Sequence, residues 1–201
     1  MNKQVIIAVD VDDVLAETAQ ALIDWSNQQF GSALTLDHFS EQLTVLWGVD
    51  HAEAERRWLL VCDELLPNVR PLTTAADINR NRPDNVQLLP LTSRRKAFEA
   101  MTDKWVQQHY PGIFLPAKSA DLPWQTDPQT HLLTKAAAVT RHGAVGIIDD
   151  QPKHVLAVHS AGGTGICYGD YHWNRDLPDY VPRGHTWDQI WSIWREQTAN
   201  Y

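Results

Sequence analysis

The 201-residue sequence predicts an α/β protein, a doubly wound parallel sheet with a small helical segment inserted after its first strand. Three observations lead there. Apolar, β-branched runs recur and end in polar clusters, helical patterns fill the spaces between them, and residues 16–79 break the alternation by reading as successive helices.

Val5–Val9 is continuously apolar, as suits a central strand covered on both faces. Residues 144–148 repeat the pattern and run into Asp149 and Asp150. Residues 86–91 form another such run, ending in Thr92, Ser93 and Arg94; Pro90 cannot donate to a ladder, so a bend is expected there. Thr164–Tyr168 reads as a further strand.

Helices are expected over 95–109, over 132–141, after Pro152, and at the C-terminus. In the last, Thr186 and Gln189 fit a capping box, and Trp187, Ile190, Trp191 and Trp194 form one apolar stripe that reads as a docking face. The inserted segment divides into Thr18–Phe30, a break at Gly31 and Ser32, then 36–45 and 52–66. The expected organisation is a Rossmann-like core of residues 1–15 and 80–201, with residues 16–79 as a small helical cap.

Composition narrows the function. Apolar (43%) and charged (21%) contents are those of a globular protein. Lys and Arg number 17 against 25 Asp and Glu, a formal charge of −8, which argues against a polymeric nucleic acid held on a basic surface. Cys62 and Cys167 are far apart and form no CxxC pattern, so neither a disulfide framework nor structural zinc is expected. The N-terminal apolar run is too short for a signal peptide, and no stretch approaches the roughly 20 apolar residues of a membrane span. A cytoplasmic protein is expected. Nine tryptophans are unusual; most are read as packing residues.

The polar clusters share one sheet edge, because each follows the carboxyl end of a strand, where ligands of such sheets bind. Asp10 and Asp12 are two apart and point the same way from an extended segment. One ionised carboxylate there can attack while the other, held protonated, donates to a leaving oxygen. Asp149 and Asp150 complete an oxygen-rich site suited to Mg²⁺. Lys135 can neutralise the nucleophile and a phosphoryl oxygen, and Thr92 and Ser93 offer a hydroxyl and backbone N–H groups near a helix start.

In chain order, DVDDVLAE, LTSR, Lys135 and IIDDQPKH resemble the four motifs of haloacid dehalogenase superfamily phosphatases. The likeness extends to the 5′(3′)-deoxyribonucleotidase-like branch: the first motif continues as VLA, the Thr-Ser pair precedes the helix KAFEAMTDKWVQQHYPG, YHWNR follows the acidic pair, and the closing tryptophan helix is similar. The resemblance implies Asp10 as the nucleophile forming an aspartyl-phosphate, with Asp12 as acid and then base. It implies Mg²⁺ held by Asp10, the Asp12 main-chain carbonyl and Asp150, with Asp149 acting through a water or supporting a ligand from behind, and a phosphoryl group held by Thr92, Ser93 and Lys135. Asp13 stands where many relatives have Gly and is read as a helix-start residue. Arg94, Arg95 and Lys96 are candidates for the substrate phosphate, the latter two equally for a solvated helix start.

The cap holds Trp25, Trp47, Trp58, Phe30 and Phe39; Trp47, in LWGVD, is the preferred candidate to stack on a base. The implied substrate is a nucleoside monophosphate, with a sugar phosphate or another small phosphomonoester as the alternative. Two readings from other classes fit the sequence less well. A receiver domain has its lysine last, whereas Lys135 precedes the second acidic pair. A noncatalytic binding protein on this fold is disfavoured by the complete set of motifs.

Overall fold

The computed structural model describes residues 3–121 and 128–198. Strands β1 (Val5–Val9), β2 (Val86–Thr92), β3 (Lys118–Ser119), β4 (Ala144–Asp149), β5 (Thr164–Tyr168) and β6 (Arg183–Gly184) form a six-stranded parallel sheet in the order 3-2-1-4-5-6. The order reverses between β1 and β4, so the topological switch point lies beside the ends of these two strands.

Side chains alternate across β1. Ile7 and Val9 join one apolar cluster and Ala8 the other, all fully buried. On Ala8's side the cover is α6 (Pro128–Arg141) and α7 (Pro152–Ser160), packed through Val139 and Val158. Gly165 brings α7 close to β5, since a Cβ there would lie 2.6 Å from the Val155 carbonyl oxygen. The other face carries α5 (Glu99–His109) and α8 (Trp187–Thr198), whose Trp105, Trp187, Ile190, Trp191 and Trp194 are buried. The C-terminal stripe is therefore a docking face. Thr186 Oγ1 accepts from the Gln189 N–H at 3.3 Å, while Gln189 turns back to the His185 N–H rather than to that of Thr186.

Between β1 and β2 lie α1 (Thr18–Phe30), α2 (Leu43–Trp47), α3 (His51–Leu60) and α4 (Ala75–Asn79). Gly31, at φ 63°, ends α1 in the left-handed region glycine adopts most readily. Their apolar residues, among them Leu22, Leu43, Ala54 and Ile78, belong to the same cluster as Ile7 and Val9. The insertion thus shares one core with the sheet, tied by Trp105 Nε1 donating to the Val69 carbonyl and Trp191 Nε1 to that of Ile78.

Four local expectations change. The single helix over 36–45 is a 3₁₀ turn at Leu36–His38 followed by α2, because Phe39 takes an extended backbone (ψ 133°) and turns its ring toward Trp173. The helix over 52–66 starts at His51 and loosens into a π turn at Val61–Leu65. The helix over 95–109 opens as a 3₁₀ turn at Lys96–Phe98 before α5. β2 runs through Pro90 without a shift in its register with β1. The Leu88 and Thr92 carbonyls accept from Leu115 and Ala120 N–H groups on the β3 side, and alternation puts Pro90 on that side too, so β1 loses no donor.

Candidate active site

Asp10 follows β1, Ser93 and Arg94 follow β2, and Asp149 and Asp150 close β4, so three adjacent strands deliver their polar residues to one edge. The Asp10 N–H donates to the Ile148 carbonyl at 2.9 Å, which carries the ladder up to the carboxylates. Lys135 rises from α6 with its side chain 0% exposed. Its Nζ lies 3.0 Å from Asp10 Oδ2 and 2.7 Å from Asp149 Oδ2. Asp10 Oδ1 accepts from the Val11 N–H and Asp149 Oδ1 from the Gln151 N–H. Asp150 takes its hydrogen bonds from neutral donors, Gln151 Nε2 at 3.0 Å and Trp173 Nε1 at 2.7 Å, both onto Oδ2.

Asp12 points elsewhere. Oδ1 accepts from Arg94 Nη2 and Thr18 Oγ1, both at 2.6 Å, and Oδ2 from Arg94 Nε at 3.1 Å. Arg94, one of the candidates for the substrate phosphate, is buried against Asp12. Lys96 pairs with Glu99, and Arg95 lies 3.4 Å from Glu55 of α3. Asp13 sits at φ 58°, the left-handed region, and its buried carboxylate accepts from the Ala19 N–H in the first turn of α1, as a helix-start residue does. Thr92 is fully buried, its Oγ1 accepting the Arg94 N–H at 3.1 Å; Ser93 is half-buried beside it.

The electrostatics follow from this crowding. Burial pushes Asp10 up to about 8, with Lys135 opposing and Asp149 and Asp12 adding to the rise. Burial likewise raises Asp149, and raises Asp150 well above the usual range with the help of Asp149, Asp13 and Asp10. Burial would lower Lys135, yet Asp10 and Asp149 outweigh it and raise it. Burial would also raise Asp12, but the charge and hydrogen bonds of Arg94, with that of Thr18, hold it below the usual range. The same contacts favour the ionised form of Asp12, so a proton that it donates must arrive with the substrate.

Oxygens of Asp10, Asp149 and Asp150 all lie within 4.8 Å of one another. An all-carboxylate set with one lysine against it is short of positive charge, and a hard divalent cation fits that donor set. Asp149 stands among the close carboxylates. The Asp12 carboxylate lies outside the group, its expected contribution being the main-chain carbonyl.

Trp47 is partly buried in the insertion. Its Nε1 donates to the buried Ser26 Oγ at 2.9 Å and its ring meets Phe30 edge-on. Among the described residues Trp173 bonds to Asp150, with Tyr171 stacked on its ring at 4.5 Å and Phe39 4.7 Å from it. YHWNR marked this stretch in the sequence, but nothing in it signalled a bond to Asp150.

A family model described as 5′ nucleotidase, deoxy (pyrimidine), cytosolic type C protein matches residues 4–197. The chain belongs to this family. It is accordingly a phosphoric monoester hydrolase of the haloacid dehalogenase type. No curated protein matches significantly. Among solved structures, a haloacid dehalogenase-like family hydrolase from Streptococcus pneumoniae aligns with TM-score 0.69 at 11% identity, over 96% of this chain and 100% of that one. A protein from Clostridium acetobutylicum described as a predicted phosphatase aligns with TM-score 0.69 at 12% identity, over 97% and 100%. A haloacid dehalogenase hydrolase from Entamoeba histolytica aligns with TM-score 0.61 at 15% identity, over 93% and 95%. At these identities the likeness establishes the fold, and the family model establishes the membership.

Proposed function

We propose that this chain hydrolyses (deoxy)nucleoside monophosphates as a Mg²⁺-dependent 5′-nucleotidase of the cytoplasm, through an aspartyl-phosphate on Asp10. The chemistry rests on one observation above all, the buried Lys135 bridging Asp10 and Asp149 at the carboxyl edge of the sheet. The nucleotide and cytosolic assignments rest on the description of the family that the chain matches. Among the described residues no helix is long and apolar enough to cross a membrane.

In the first half-reaction an Asp10 oxygen attacks phosphorus, the bond to the leaving alkoxide breaks, and Asp12 passes to that oxygen the proton that the monoanionic substrate brings. In the second, a water oxygen attacks the same phosphorus while Asp12 takes one water proton; the Asp10–phosphorus bond breaks and inorganic phosphate leaves. Thr92, Ser93 and Lys135 hold phosphoryl oxygens throughout. The cation would be held by Asp10, Asp150 and the Asp12 carbonyl, with Asp149 alongside, and when bound it supplies positive charge to the phosphoryl oxygens.

The test is inorganic phosphate release, with and without Mg²⁺, from deoxy- and ribonucleoside monophosphates, sugar phosphates and an aryl phosphate, with Asp10→Asn run in parallel. Mg²⁺-dependent release that favours nucleotides and vanishes in the variant is expected. Turnover of sugar phosphates alone would overturn the nucleotide assignment, and full activity in chelator would overturn the role of the cation.

A further inference from the structure

The Arg94 guanidinium is committed within the protein, its side chain only 3% exposed. Nε and Nη2 grip the two oxygens of Asp12, and Nη1 donates to Thr102 Oγ1 of α5 at 3.2 Å. The main chain is fixed as well: the Arg94 N–H donates to Thr92 Oγ1, and its carbonyl accepts from Ser119 Oγ at 2.5 Å. A buried guanidinium anchored on both sides is built to orient its partner, since a planar fork sets a carboxylate's rotation as a point charge cannot.

A carboxylate offers about four lone-pair positions. Arg94 and Thr18 fill both on Oδ1, and Arg94 fills one on Oδ2. Among the described residues one position on Oδ2 is left, on a side chain 30% exposed. We infer that Arg94 is a positioning residue for Asp12, holding its carboxylate so that the remaining lone pair of Oδ2 is where the proton is carried to the leaving alkoxide and then received from water. This rests on Asp12 being the acid and base of the proposed reaction.

The prediction concerns leaving groups. Departure of an acidic phenol needs little help from a proton donor, whereas departure of an alkoxide needs a well-aimed one. Wild type, Arg94→Lys, Asp12→Asn, the double variant, and Thr102→Val would be compared by kcat/KM on aryl phosphates of graded leaving-group acidity and on an alkyl phosphate. In Arg94→Lys, the alkyl phosphate is expected to lose about 100-fold and 4-nitrophenyl phosphate less than about threefold. Asp12→Asn should show the same pattern, and the double variant should be no worse than Asp12→Asn. Thr102→Val removes the far anchor of Arg94 at nearly constant volume, away from the reacting groups. It should tilt the series the same way by a smaller factor, which keeps the test open if Arg94→Lys does not fold.

An even loss across the series in both Arg94→Lys and Thr102→Val would mean that Arg94 serves only the fold, and would overturn the inference. So would weakened competitive inhibition by inorganic phosphate in Arg94→Lys, which would put the guanidinium on the phosphoryl group. If Asp12→Asn itself leaves the series flat, the assignment of Asp12 fails, and the inference with it.

Discussion

Trp173 donates its indole N–H to Oδ2 of Asp150 at 2.7 Å, across 23 residues of sequence. Tyr171 lies flat on its ring, and Phe39 reaches it from the inserted segment. The orientation of a carboxylate in the candidate cation group is therefore set by an aromatic cluster that bridges insertion and sheet. Trp173→Phe keeps the ring contacts and removes the donor, so Mg²⁺ affinity by calorimetric titration is expected to fall about tenfold with the fold retained. Unchanged affinity would mean that Asp150 is held by Gln151 alone or does not meet the cation.

Lys135 is the counter-charge of the buried carboxylates. Lys135→Met leaves Asp10 and Asp149 facing each other unpaired, and denaturant unfolding in chelator should show a loss of about 3–5 kcal/mol. Asp149→Asn in the same background should recover part of it by removing one uncompensated charge. Equal stability of single and double variants would show that the lysine's contribution is packing.

The pH dependence of stability has a definite sign. Asp10, raised to about 8 from the ordinary carboxylate value of 3.8, keeps in the folded chain a proton that the unfolded chain has released. Its contribution is full below the unfolded value and is lost as pH rises through the folded one. Asp149 and Asp150 shift in the same direction. Melting temperature in chelator should therefore fall from about pH 5 to about pH 8. The fall should be shallower in Asp10→Asn and in the presence of Mg²⁺. A melting temperature that rises over this range would contradict the electrostatic reading of the cluster.

Trp47 belongs to the insertion's packing, with Arg57 lying 3.9 Å over the neighbouring Phe30 ring. Trp47→Phe loses the bond to Ser26 and should cost about 1 kcal/mol in unfolding measurements. The KM for a nucleoside monophosphate should stay unchanged. A several-fold rise in KM at constant kcat would return Trp47 to the substrate.

Much of the fold was legible in local signals. β1, α1 and β5 have the bounds that their apolar patterns indicate. β3 and β6 had no such signal, because two residues cannot display a period and their pairing is decided by neighbouring strands. The acidic strand ends were legible because a carboxylate cluster at the end of an apolar run is a local anomaly. The partners of those carboxylates were not. Asp12 and Arg94 are 82 residues apart, and whether a guanidinium beside a Thr-Ser pair meets substrate or protein is settled by tertiary packing alone. The setting of Trp47 was hidden for a related reason: a tryptophan after an apolar turn looks the same in sequence whether its ring meets a ligand or Phe30.

The measurement that bears most directly on the proposed chemistry is acid-quenched single turnover with a substrate radiolabelled in the phosphoryl group, followed by peptide mapping of the protein. Transient label is expected on the peptide containing Asp10, absent in Asp10→Asn and longer-lived in Asp12→Asn. Release of labelled phosphate with no labelled protein at any time, or with label on another peptide, would contradict an aspartyl-phosphate at Asp10.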